Sequence, residues 1–162
     1  MAACIGYASA LLENLKYHRE VLQSFIQIWD LLAGEIRYER LTMAEAFQNL
    51  DRKYHGPAGS IMRRVSERLA AADEENLETV WADVFRKEQK ALMLSPEEMD
   101  ILLDTGKTLG YLDAEAQVSR LNYFRGRLEK KFQEAEKEIY EKRKLYRYLA
   151  VAVGVLIVLI AV

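Results

Sequence analysis

Leu11, Leu15, His18, Leu22, Phe25, Trp29, Leu32 and Ile36 follow one another in steps of four and three. This spacing lays one apolar stripe along a helix of about 28 residues, with His18 its single polar member. A stripe that long has to be covered, so the rest of the chain must supply helices to pack on it.

The following segments do so by pattern. Thr42 and Glu45 have capping-box spacing, and Met43, Ala46, Phe47 and Leu50 continue a second helix that ends before HGPAGS at 55–60. A third helix is expected from Ser60 to Ala72, with Ile61, Met62, Val65 and Leu69 on one face. The acidic run DEEN at 73–76 turns the chain into a fourth, carrying Leu77, Val80, Trp81, Val84, Phe85 and Leu92. Ser95, Pro96 and Glu98 spell the start of a short fifth helix, which stops between Gly106 and Gly110. Asp113 opens the longest, with Val118, Leu121, Leu128, Phe132, Ala135 and Ile139 facing inward and no breaker before Gly154. From Asp113 to Arg147 it would span about 52 Å. Two prolines, eight glycines and no low-complexity stretch agree with an all-helical chain.

The end of the chain has a different character. Tyr148 to Val162 carries no charge and would rise about 22 Å as a helix, short of the roughly 30 Å hydrocarbon core of a bilayer. Starting it at Leu145 lengthens the segment and lets Arg147 snorkel to the headgroups. The expectation is a C-terminal membrane helix that anchors the chain in a lipid bilayer; the alternative is a helix buried in the core. Lys142, Arg143, Lys144 and Arg147, offset by Glu141, precede it, so the positive-inside rule places the body in the cytoplasm. Residues 1–12 are uncharged but lack the basic leader of a signal peptide. They are either the packed start of the first helix or the remnant of a membrane helix. Cys4, alone in the chain, reads as a reduced thiol. Three parts result: an apolar segment at 1–12, a cytoplasmic bundle at 13–147 and an anchor at 148–162.

Catalytic signals are few. A net charge of −2 argues against nucleic acid as a partner. GKT at 106–108 has Ile101 where a phosphate-binding loop needs glycine. His18 and His55 have no ligand-spaced cysteine or carboxylate pair near them, so no metal site reads out. Glu74/Glu75 and Glu97/Glu98 sit at helix starts, where they complement the dipole. No catalytic residues, no cofactor and no small-molecule substrate are expected. An enzyme would need a carboxylate of strongly raised pKa in a cleft. A coiled-coil scaffold that dimerises through its long helices would need a second chain to cover the stripes. The lone Gly154 offers no small-residue pair for dimerisation within a membrane.

Three stretches carry a resemblance: GEIRYERLTMAEAF at 34–47, DILLDTGKTLGYLDAEAQ at 100–117 and KRKLYRYLAVAVGVLIVLI at 142–160, with Trp81 between the first two. In that order the chain resembles the stage III sporulation protein AB family of endospore-forming bacteria. The most specific pieces are Leu109, Gly110, Asp113 and Gln117, and the KLYR junction with the tail. It departs from the family in its short apolar start, in Ala44 where a proline is common, and in Ala150 where a glycine follows KLYR. The family is similar in turn to the F-domain of type II secretion and type IV pilus platform proteins, a compact six-helix bundle. The fold expected is therefore all-α, a compact six-helix bundle whose long last helix runs into a C-terminal membrane helix.

The resemblance implies a platform in the mother-cell membrane. Its partners would be the cytoplasmic sporulation ATPase, stage III sporulation protein AA, and the membrane components of the channel to the forespore. It also marks a partner surface: Glu35, Arg37, Tyr38 and Glu45 on one side, Gly110, Asp113 and Gln117 on the other. Structural roles compete at three of these. Asp113 would cap the last helix, Gly110 end the fifth in a left-handed turn, and Glu45 complete the capping box.

Overall fold

The computed structural model describes residues 2–38, 43–54, 56–71, 76–109 and 113–161. They form six helices and no strand: α1 (Ala2–Tyr38), α2 (Met43–Lys53), α3 (Pro57–Ala71), α4 (Leu77–Leu92), α5 (Pro96–Thr108) and α6 (Ala114–Ala161). All-α character and the count of six agree with the periodicity.

Starts and stops follow local chemistry. Asn76 caps α4 by accepting the Thr79 N–H at 2.9 Å. Ser95 accepts the Glu98 N–H while the Glu98 carboxylate accepts the Ser95 N–H at 2.8 Å, and Pro96 fills the first helical position. Met93 closes α4 in the left-handed region at φ 53°. Boundaries moved at two places. The apolar opening is the first part of α1, which begins at Ala2 rather than near Leu11. α3 begins at Pro57 rather than Ser60, since a proline's missing N–H costs nothing in a first turn. Gly59 then lies inside α3, where a Cβ would come within 2.1 Å of the Tyr54 carbonyl oxygen. The capping residue expected at Thr42 lies outside the described residues.

The most extensive helix pair is α1 with α6. Arg19 pairs with Glu136 and Asp30 with Arg125. From Arg19 to Asp30 and from Arg125 to Glu136 the step is eleven residues, so the helices run antiparallel in steady register. Their stripes cover each other and the rest of the bundle: Leu22, Phe25, Trp29 and Leu32 are buried, as are Val118, Leu121, Leu128, Ala135 and Ile139. The stripes are thus occupied within one chain, and α1 and α6 need no second copy to bury them.

At the centre Trp81 meets Phe85, Phe47 and Trp29 at ring separations of 4.7, 5.6 and 5.8 Å, and its Nε1–H donates to the Leu102 carbonyl at 2.8 Å. Each such side chain, fully removed from water, contributes about 1.5–3 kcal/mol.

α6 runs unbroken to Ala161 as expected, but its far end falls short of a membrane-crossing helix. Among the described residues no helix is long and apolar enough to cross a membrane. Tyr148 to Ile160 rises only about 20 Å against roughly 30 Å of hydrocarbon, and extension toward the bundle takes in Arg147, Lys144 and Arg143. It is not a core helix either: every side chain from Arg147 to Ile160 is exposed.

Candidate functional site

The seven residues expected on a partner surface separate into three groups. Glu35 is only 4 % exposed. Its Oε1 accepts a hydrogen bond from the Lys53 ammonium, which ties α1 to α2, and its other oxygen is buried without a hydrogen-bond partner among the described residues. That is a structural tie rather than a contact surface. Asp113 is the α6 cap: its Oδ1 accepts the Ala116 N–H at 2.9 Å and its carbonyl the Gln117 N–H at 2.9 Å. Gln117 is buried. Gly110 lies outside the described residues. Glu45 is exposed in the first turn of α2.

Arg37 and Tyr38 remain, both exposed, with Tyr38 at 81 %. The α1–α6 register explains where they sit. Seven residues beyond Asp30 lies Arg37, and seven before Arg125 lies Val118. Arg37, Ala114, Glu115, Val118, Ser119 and Asn122 line an open groove of about 500 Å³ between the end of α1 and the start of α6. The structure therefore joins the two segments singled out in sequence, but through Arg37 and the outer face of α6 rather than through Glu35 and Gln117. Glu115, Ser119 and Asn122 were missed. Their spacing of four and three marks one polar face of α6, a signal readable in the sequence once the groove directs attention to it.

The groove pairs one cation and one carboxylate with a hydroxyl and an amide over the apolar floor of Val118. It presents hydrogen-bonding groups to a surface. Elsewhere among the described residues no three His, Cys, Asp or Glu side chains come together as metal ligands.

One buried polar pair was not foreseen. His18 Nε2–H donates to Glu98 Oε2 at 2.9 Å, tying α1 to the start of α5. Burial pushes the Glu98 carboxyl upward, but the hydrogen bonds from His18 and from Ser95, backbone and hydroxyl, outweigh it and hold the carboxyl below its ordinary value. Glu98 thus does more than complement a dipole: it closes the cap and fixes α5 to α1.

The whole chain, residues 1–162, matches the family model described as stage III sporulation protein AB. A curated protein of that description from Bacillus subtilis (strain 168) is 24 % identical over 129 residues, covering 80 % of this chain and 75 % of the relative. A solved structure titled stage III sporulation protein AB superposes with a TM-score of 0.67 at 22 % identity, covering 75 % of this chain and 97 % of the other, a likeness of fold.

Proposed function

The chain belongs to the stage III sporulation protein AB family, and from that premise we propose that it acts as a non-enzymatic, membrane-attached platform in a sporulation complex. It sits at the mother-cell membrane with its bundle in the cytoplasm. It links a cytoplasmic sporulation ATPase, stage III sporulation protein AA, to the membrane components of the forespore channel, in the manner of the F-domains of secretion platforms.

The observation that supports this most is the separation of two surfaces along one helix. At one end of α6, Val151, Val155, Leu156, Ile157, Val158, Leu159 and Ile160 are all exposed. A patch of that kind does not persist in water and marks an interaction with lipid or protein. The uncharged composition from Tyr148 onward favours hydrocarbon, into which this end inserts as an anchor with Arg147 reaching back to the headgroups. At the other end the Arg37 groove lies about 50 Å away, the rise of α6 from Ala114 to Arg147. A groove held that far above a bilayer faces the cytoplasm, where a soluble ATPase would meet it.

Binding of the full chain, held in a neutral detergent, to the ATPase of the same genome tests the proposal. Arg37→Glu and Asn122→Lys should each weaken the complex tenfold or more, about 1.4 kcal/mol, while Lys90→Glu on α4 leaves it unchanged. A complex indifferent to both groove changes would place the ATPase contact elsewhere on the bundle.

A further inference from the structure

A second, smaller groove lies between α1 and α6 close to the apolar end. Arg19, Glu136, Ile139, Tyr140 and Arg143 line it, enclosing about 170 Å³. Its charges are unevenly matched. Arg19 and Glu136 approach to only 3.6 Å, and the buried Nε–H of Arg19 has no acceptor among the described residues. Arg143 has no carboxylate within ion-pair distance among those residues, and neither have Lys144, Arg147 or, one turn before Arg19 on α1, Lys16. Further back on α6 Arg125 pairs with Asp30 and Lys131 with Glu97, while the scattered Arg120, Arg127 and Lys130 have no carboxylate within ion-pair distance among the described residues. Next to the apolar end, Arg143, Lys144 and Arg147 place three such cations within five residues.

The depth of the groove is informative. Arg143 lies five residues before Tyr148, an axial distance of about 7.5 Å. The polar headgroup layer on one side of a bilayer is about 5–7 Å thick. With Tyr148 at the edge of the hydrocarbon, the Arg143 end of the groove lies at the level of the phosphates, and the Arg19–Glu136 end, about 18 Å from Tyr148 along α6, lies on its outer side. Arginine suits that position, because its guanidinium meets phosphate oxygens two at a time.

We propose that the Arg19–Arg143 groove is a binding site for the phosphate of an anionic membrane lipid, with Tyr140 beside it and Lys16, Lys144 and Arg147 adding a diffuse attraction. The site rests on the reading that the end of α6 inserts into a bilayer. It adds to that reading a headgroup preference and a role for α1 in making it. Glu136 is the single acid in the lining, and a phosphate arriving at Arg19 displaces that loose pairing.

Partition of the full chain onto vesicles tests both levels separately, using pure phosphatidylcholine and phosphatidylcholine with a minor share of phosphatidylglycerol. Wild-type protein should bind both and prefer the anionic vesicles. Arg143→Gln and Arg19→Gln should each lower that preference about fivefold, leaving binding to neutral vesicles unchanged. Arg143 is exposed, so its variant also stands if Arg19→Gln disturbs the bundle. Lys130→Gln, about 20 Å further along α6 and beyond the Debye length, should not alter the preference. A preference untouched by both arginine changes overturns the site. So does an equal loss with Lys130→Gln, which would mean a diffuse field, or abolition by millimolar inorganic phosphate, which would mean a site for a free anion. Failure of wild-type protein to bind neutral vesicles overturns the insertion itself.

Discussion

Gly106 offers the sharpest test of how the core is built, because the structure reverses the usual meaning of glycine in a helix. It lies inside α5, where replacement by alanine ordinarily adds about 1 kcal/mol of helix stability. Here a Cβ would stand 2.3 Å from Cδ1 of Trp81, 2.5 Å from Cγ and 2.8 Å from Nε1, all inside van der Waals contact. The ring would have to withdraw by roughly 1 Å to restore ordinary contact near 3.5 Å. Phe85, Phe47 and Trp29 stand behind it, and its N–H is committed to Leu102. Overpacking of this kind costs about 1–3 kcal/mol, and stretching the buried hydrogen bond adds about 1 kcal/mol or more. After the gain in propensity is subtracted, Gly106→Ala should destabilise by about 1–3 kcal/mol.

Gly34 and Gly126 supply the control, since both lie within helices and a Cβ at either would meet nothing within 4 Å. Alanine there should stabilise by about 0.5–1 kcal/mol. Urea unfolding followed by tryptophan fluorescence and by helical circular dichroism measures all three on one scale. Gly106→Ala should also shift the emission, because the displaced ring is itself the probe. If Gly106→Ala stabilises as its two counterparts do, the close approach of α5 to Trp81 is not real and the reasoning fails.

Glu98 sets a pH dependence. Its folded pKa is depressed, so its contribution is full above the unfolded value near 4.3 and is lost as pH falls through the lower folded value. Acid titration of Glu98→Gln should therefore show a shallower stability loss below about pH 4.3 than wild type, with about 1 kcal/mol less stability at neutral pH; superimposable curves would remove the carboxylate from the account. Met93 occupies a left-handed position that glycine adopts without penalty, so Met93→Gly should raise stability by about 0.5–1 kcal/mol in thermal unfolding, and a loss would contradict the cap geometry. Lys53→Met leaves the buried Glu35 carboxylate without its ammonium and should cost about 1–3 kcal/mol, while adding Glu35→Gln should recover part of that; no recovery would deny the pairing.

The parts of this fold that could be read from sequence are those decided by neighbours one or two turns away. The stripe through Leu22, Phe25, Trp29 and Leu32 announces its burial by spacing, and Ser95, Pro96 and Glu98 announce a cap because all three act within a single turn. Gly106 looked like a helix end since its reason for being glycine, the Trp81 ring, is on another helix. Glu35 looked like a surface acid because Lys53, which neutralises it, lies eighteen residues on. The candidate surface was half legible for the same cause. Arg37 stood out by its place at a helix end, whereas Ser119 and Asn122 matter only once the α1–α6 register brings them opposite it.

That register also orders the electrostatics. Along α6 the inner face stays buried as far as Ile139, and from Tyr140 to Ile160 only Lys142 and Tyr146 are even partly covered. The interhelical charge pairs stop at nearly the same level, with Arg19 and Glu136 the last and loosest. Exposed ion pairs contribute little to stability, about 0–1 kcal/mol each, so their ending costs the bundle almost nothing. What changes is the surroundings for which the helix is made. Below this level Arg125 and Lys131 are answered by carboxylates of α1 and α5. Above it come Arg143, Lys144 and Arg147, with no carboxylate in ion-pair distance among the described residues, then Tyr148, then side chains with no polar group at all. A single helix that passes in one direction from mixed charge through a basic cluster to bare hydrocarbon side chains has the order of polarity that the proposed insertion into a bilayer requires.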